Sequence, residues 1–218
     1  MNDHPTLSII TVNLNNCEGL KRTIDSVVAQ TFTDYEWIVI DGGSTDGSRE
    51  LIEQYQDHFA YWCSESDRGI YNAMNKGIAH ARGEWLQFLN SGDWLYENTT
   101  LEKVFSKEYD ADVIYGNAIV QIDGKNTIRK YSPQLSLSYL ISHPINHQAS
   151  FYKSSLYDNH YYYEKYIIIS DYIFLLELAL KNTRFEYYND ILVFSAENGI
   201  STTQMGIDES KKNRSSYS

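Results

Sequence analysis

Three β-rich apolar runs, residues 7–12, 37–40 and 85–89, each end on small or acidic polar residues, and amphipathic segments lie between them. After Asn15 or Asn16, either able to cap a helix, Leu20, Ile24, Val27 and Val28 keep helical spacing. After the turn at residues 44–47, Leu51, Ile52 and Tyr55 do the same. Residues 59–63 read as a short strand, and Ile70, Ala73, Met74, Gly77, Ile78 and Ala81 form a helical face that stops at Arg82-Gly83. Such alternation is the pattern of strands returning through helices to a mostly parallel sheet, an α/β fold. In an open sheet of this kind, ligands bind beyond the carboxyl ends of the strands. The loops holding Asn13, Asp41, Asp67 and Asp93 are therefore expected to converge.

Beyond residues 112–115 the alternation breaks down. Asp123-Gly124, between runs 118–122 and 127–130, reads as a hairpin turn. Residues 170–180 read as a helix with Ser170 or Asp171 at its N-terminus, and residues 185–194 as one or two strands. The expected organisation is a single domain with a ligand-binding part over about residues 1–116 and a differently built part over about 117–218. With 18 basic and 29 acidic residues, a net charge of −11, the chain is poorly suited to a nucleic-acid backbone. The most apolar stretch, residues 166–180, is interrupted by Ser170, Asp171 and Glu177 and is too short to cross a bilayer. No basic-then-apolar leader opens the sequence, so a cytoplasmic location is expected, and Cys17 and Cys63 are expected to be free, partly buried thiols.

The turn Asn90-Ser91-Gly92-Asp93 suits a bulky anionic ligand: Gly92 lets the backbone bend closely, and Asp93 offers a hard oxygen to Mg²⁺ or Mn²⁺. A divalent cation would also screen a polyanion in an acidic protein. The same Asp93 equally suits a simple turn cap. Asp41 can accept hydrogen bonds from a base or ribose, or shape the Asp41-Gly42-Gly43 turn. Arg68 can clamp a phosphate or pair with Asp67. His143 and His147 have a metal-binding helical spacing, but Pro144 breaks the helix that spacing needs, so zinc is not indicated. Neither a P-loop nor a Gly-x-Ser-x-Gly elbow occurs. Asp171 by itself reads as an N-terminal helix cap.

Together these segments resemble the family-2 glycosyltransferases, inverting enzymes that use nucleotide-activated sugars. The resemblance rests on Leu7-Ser8-Ile9-Ile10-Thr11-Val12-Asn13, on Trp37-Ile38-Val39-Ile40-Asp41 followed by Gly42-Gly43-Ser44-Thr45-Asp46-Gly47-Ser48, and on Gly83-Glu84-Trp85-Leu86-Gln87-Phe88-Leu89-Asn90-Ser91-Gly92-Asp93, in the family's order. The run Asp67-Arg68-Gly69-Ile70-Tyr71-Asn72-Ala73-Met74-Asn75-Lys76-Gly77-Ile78 is similar to a subgroup that builds bacterial surface polysaccharides. Residues 7–116 carry most of the likeness, with weaker echoes at His147-Gln148, Ser170-Asp171-Tyr172 and Gly199-Ile200-Ser201.

The resemblance implies the type-A glycosyltransferase fold, a Rossmann-like sheet flanked by helices and merged with a mixed C-terminal acceptor-binding part. It implies that Thr11, Asn13 and Asp41 hold the base and ribose, that Asp67 and Arg68 lie beside the donor's sugar and phosphates, that Ser91 is a further donor-binding position, and that Asp93 ligates Mg²⁺ or Mn²⁺. Ser91 replaces the first acid of the family's Asp-x-Asp, leaving one carboxylate for the ion. Asp171 stands where the family has its catalytic base, with His147 a contact for the diphosphate or the acceptor. The expected partners are a nucleotide-sugar donor and a saccharide or lipid-linked saccharide acceptor. Peripheral membrane contact is expected through residues 157–166 or the basic tail Lys211, Lys212 and Arg214. A non-catalytic nucleotide-sugar-binding protein and a sugar-phosphate nucleotidyltransferase are the alternatives.

Overall fold

The computed structural model describes residues 4–196 apart from 123 and 182. In chain order the elements are β1 (Leu7–Asn13), α1 (Cys17–Val28), β2 (Tyr35–Asp41), α2 (Ser48–Gln54), β3 (Tyr61–Ser64), α3 (Ile70–His80), β4 (Trp85–Phe88) and β5 (Trp94–Leu95). They continue with α4 (Thr100–Val104), β6 (Val113–Ile122), β7 (Lys125–Arg129), α5 (Leu137–Ser142), β8 (Ser150–Lys153), α6 (Ser170–Leu180) and β9 (Phe185–Ser195). All nine strands form one sheet of order β3-β2-β1-β4-β8-β6-β9-β5, with β7 paired to the far part of β6.

The first half is the parallel β/α unit that the alternation predicts. β1 runs parallel to both β2 and β4, and β2 parallel to β3. Asn16 caps α1, its Oδ1 accepting from the Gly19 N–H at 3.2 Å. In the second half β8 inserts antiparallel beside β4 and carries the sheet on to β6 and β9. Cys17 and Cys63 are free and partly buried, as expected.

Because helices cover both faces, β1 is buried along its whole length. Leu7 and Ile9 meet Leu20, Ile24, Val27 and Ile52 on one face, while Ile10 and Val12 meet Tyr71, Met74 and Ile78 on the other. Each such aliphatic side chain contributes about 1.5–3 kcal/mol by leaving water. Glu36 ties the rear of the sheet together, accepting from Ser8 Oγ at 2.7 Å and from Arg82 Nη2 at 2.8 Å.

Gly83 sits where this strap crosses β1. A Cβ there would lie 2.5 Å from the Ser8 nitrogen and 2.7 Å from the Leu7 carbonyl carbon, both main-chain atoms in a central strand. Gly83→Ala is therefore expected to destabilise the protein by about 1–3 kcal/mol. The check is a lower urea midpoint at unchanged m-value.

Candidate active site

The strand ends and the second half of the chain enclose a cleft of about 1320 Å³, lined by Asn13, Asp67, the whole Asn90–Asp93 turn, His147, Gln148 and Asp171. That volume exceeds the ordinary range for one drug-sized ligand. Its outer wall is apolar, with Leu137, Ile141, Ile145, Ile173 and Leu176.

At the β1 and β2 ends, Asn13 and Asp41 are register partners. Asn13 Nδ2 donates to Asp41 Oδ1 at 2.7 Å. Asp41 also accepts from Ser44 N and Oγ at 2.9 and 2.5 Å, Gly43 N at 3.2 Å and Ser64 Oγ at 2.6 Å. Burial pushes its pKa up, but these hydrogen bonds outweigh burial and hold the carboxyl below its ordinary value. Asp41 thus organises the loop from behind, and Asn13 is the member that lines the cleft. Asn13 Oδ1 is buried with no protein partner, an acceptor left for something else.

Two expected ligand contacts are not at the cleft. Thr11 shares a strand face with Leu7 and Ile9, and its fully buried Oγ1 accepts from the Trp37 indole N–H at 3.0 Å. Its side chain is part of the core and does not line the cleft. Arg68 turns outward and donates from Nη2 to Glu164 Oε2 at 2.7 Å, with 79% of its side chain exposed. It pairs with neither Asp67 nor the cleft, whereas Asp67 does line it and accepts from the Gly69 N–H at 2.8 Å.

After β4 the chain turns sharply at Gly92, whose φ of +100° favours glycine. Thr23 on α1 pins the turn: its hydroxyl accepts from the Gly92 N–H and donates to the Asp93 carbonyl, at 3.0 and 2.7 Å. The Ser91 carbonyl accepts from Asn16 Nδ2 at 2.9 Å. Asp93 is 5% exposed, with Oδ2 accepting from Gln148 Nε2 at 2.8 Å and Oδ1 from the Ala196 N–H at 2.9 Å. Burial pushes its pKa above the ordinary value, against those donors and the nearby His147.

These residues fit a hard cation. Asp93 is a buried carboxylate met directly by neutral donors only, and Asn90 Oδ1 in the same turn is a buried oxygen with no partner. Both are the oxygen donors that Mg²⁺ and Mn²⁺ take, with substrate phosphates and water completing the set. No group of three or more acidic, histidine or cysteine ligands exists among the described residues. His143 does not join His147; it stacks on Tyr139 instead.

Across the cleft, Asp171 opens α6. Its Oδ1 accepts from the Tyr71 hydroxyl at 2.6 Å, and its Oδ2 lies 2.9 Å from His147 Nδ1. Burial raises the Asp171 pKa, yet the imidazole beside it brings the net value below the ordinary one. Burial pushes His147 down, and Asp171 more than reverses that, so the pair favours carboxylate and imidazolium. His147 Nε2 faces Asn90 Nδ2 at 3.4 Å. The imidazole thus bridges Asp171 and the Asn90–Asp93 turn, with its Nδ1 committed to Asp171.

Sequence reasoning gave neither Tyr71 nor Gln148 a role in the site. Tyr71 is not on the helical face that the spacing marks, and only the fold brings it to a residue 100 positions away. The expected aromatic membrane patch is partly core: Tyr157 and Tyr162 are 3% exposed and their hydroxyls meet at 3.0 Å. The basic tail and Gly199-Ile200-Ser201 lie outside the described residues. No described helix is long and apolar enough to cross a membrane.

Solved structures share this architecture. TarS of S. aureus, crystallised in complex with UDP, superposes with a TM-score of 0.75 at 19% identity, over 88% of this chain and 60% of that one. A mannosyltransferase from Pyrobaculum calidifontis, in complex with GDP-Man and Mn²⁺, gives 0.68 at 15% identity, over 91% of this chain and 59% of that one. The fold is that of the type-A glycosyltransferases. Among curated proteins, an uncharacterized glycosyltransferase of Mycobacterium tuberculosis is 38% identical over 161 residues, 72% of this chain and 62% of that protein. A PGL/p-HBAD biosynthesis glycosyltransferase of Mycobacterium bovis is 34% identical over 160 residues, 70% of this chain and 61% of that protein. The chain therefore spans about three-fifths of the length of these relatives. The model of the family described as glycosyl transferase family 2 matches residues 8–175, from the second residue of β1 into α6, and on that match the chain belongs to this family.

Proposed function

We propose that the chain catalyses inverting transfer of a sugar from a nucleoside-diphosphate sugar to an acceptor hydroxyl, on a cell-surface polysaccharide or a lipid-linked saccharide. The observation that carries this reading is the single cleft that holds a paired, ionised Asp171 on one wall and the buried Asp93 turn on another. The likeness to nucleotide-sugar-bound type-A structures and to a PGL/p-HBAD biosynthesis glycosyltransferase supports the donor and acceptor classes.

In this mechanism Asp171 takes the proton of the acceptor hydroxyl. The freed oxygen pair forms the bond to the anomeric carbon from the face opposite the leaving group. The bond to the diphosphate oxygen breaks, and its electron pair leaves on the nucleoside diphosphate, so one displacement inverts the configuration. Asn13 orients the nucleotide end of the donor, with Asp41 acting through it, and Asp67 lies beside the donor's sugar and phosphates. Asp93, with Asn90 Oδ1, would hold Mg²⁺ or Mn²⁺, which when bound supplies positive charge against the diphosphate.

Binding of a ligand to the folded state raises its apparent stability. UDP- and GDP-sugars with Mn²⁺ are accordingly expected to raise the Tm of the wild type, and Asp93→Ala to abolish the Mn²⁺-dependent part of the rise. A Tm unmoved by every nucleotide sugar, with or without metal, contradicts the proposal.

A further inference from the structure

We infer that Tyr71 is a positioning residue for Asp171, its hydroxyl fixing the carboxylate in the rotamer that faces the cleft. The inference rests on the reading of Asp171 as the base and adds to it a residue from the other half of the fold.

Tyr71 is 3% exposed, in the first turn of α3, among Ala73, Met74 and Ile78. Its ring is held by packing, with the Tyr162 ring centroid 5.4 Å away at 44°. Phenylalanine would fill that space equally well, so packing alone gives no reason for the hydroxyl. A buried hydroxyl without a partner is unfavourable, and this one has its partner in Asp171 Oδ1 at 2.6 Å. His147 takes the other oxygen at 2.9 Å. Two donors from different elements, α3 and the turn before β8, therefore block rotation of the carboxylate. The Tyr172 N–H adds a third bond to the carboxylate, and of its roughly four lone-pair sites one is left for an incoming hydroxyl. A carboxylate fixed in this way loses no orientation freedom when the acceptor binds.

The bond also favours the charged carboxylate, because a donor to the ionised form stabilises it. The titratable groups facing Asp171 are Tyr71 from α3, His147, Tyr152 from β8, and Tyr157 and Tyr162 farther off. Removing the Tyr71 hydroxyl weakens the ionised form, so the carboxylate should hold its proton to a higher pH.

The test is Tyr71→Phe, with Tyr152→Phe as the control for loss of a neighbouring buried hydroxyl. Carboxyl-¹³C NMR of aspartate-labelled protein, with the Asp171 signal assigned through Asp171→Asn, reads the acidic transition of the Asp171 carboxyl itself without reference to activity. In Tyr71→Phe that transition is expected to rise by roughly one pH unit, a tenfold change in proton affinity. In Tyr152→Phe it should stay in place. With a sugar donor that the wild type turns over, Tyr71→Phe should lower kcat about tenfold at unchanged donor KM, and the acidic limb of kcat/KM should move up with the NMR transition. An NMR transition that does not move in Tyr71→Phe overturns the inference whatever the activity. Activity retained in Asp171→Asn overturns the base assignment instead, and the two failures are thereby told apart.

Discussion

Asp171→Asn is expected to lower the rate of sugar transfer by about 10²–10⁴-fold, the usual contribution of a positioned general base, with the fold unchanged. Asparagine has the shape of aspartate and can still accept from either the Tyr71 hydroxyl or His147 Nδ1, so the walls of the cleft stay in place. It cannot take a proton. The wild-type pH profile follows from the same contacts. His147 and Tyr71 hold the Asp171 carboxyl below its ordinary range despite burial, so the base stays ionised well into mild acid. As pH falls through that lowered value the carboxylate protonates and the rate falls, which puts the acidic limb of kcat/KM below the ordinary carboxylate pKa of about 4. Steady-state rates with circular dichroism as the check on folding measure this. A variant within tenfold of wild type would show that the proton goes elsewhere.

Asp41→Ala should have the largest effect on stability, on the order of 3 kcal/mol or more. The substitution strands the Gly43 and Ser44 N–H groups and the Ser44 and Ser64 hydroxyls around a fully buried void and leaves Asn13 Nδ2 only its bond to Ser44 Oγ at 3.2 Å, and each stranded donor costs about 1–3 kcal/mol where the loop cannot relax. The sign with pH is fixed by the lowered pKa of Asp41. Its contribution is complete above the unfolded carboxylate value near pH 4 and is lost as pH falls through the lower folded value. Urea unfolding at pH 7 and at pH 3 should therefore show a large deficit for the variant at pH 7 and a smaller one at pH 3. Equal urea midpoints for variant and wild type at pH 7 would contradict the role given to this carboxylate.

The β/α half of the fold is written in local periodicity. Strands buried on both faces and helices with one apolar face are visible as runs and spacings, and α6 falls on the residues that the pattern marks, Ser170–Leu180. What local pattern cannot show is pairing. β8 is four residues long and carries no alternation that separates it from a loop, yet it joins the two halves into one sheet. The sites divide in the same way. Asn13, Asp67, Ser91, Asp93, His147 and Asp171 all line the cleft, because strand ends and helix starts bring them there. Thr11 was legible as core from its parity with Leu7 and Ile9, since alternate residues share a strand face. Arg68 was not: its long side chain selects Glu164, 96 residues away, over the nearer Asp67. Tyr71 and Gln148 are likewise defined by the carboxylates they reach, at sequence separations of 100 and 55.

The most direct test of the catalytic reading is release of nucleoside diphosphate from a panel of nucleotide sugars by the wild type, Asp93→Ala and Asp171→Asn, with Mg²⁺ or Mn²⁺ and a saccharide or lipid-linked saccharide acceptor. Acceptor-dependent release from one donor, lost in both variants, is the predicted result. Release that proceeds equally in Asp171→Asn, or stabilisation by a nucleotide sugar with no release under any acceptor, would contradict transfer by this cleft.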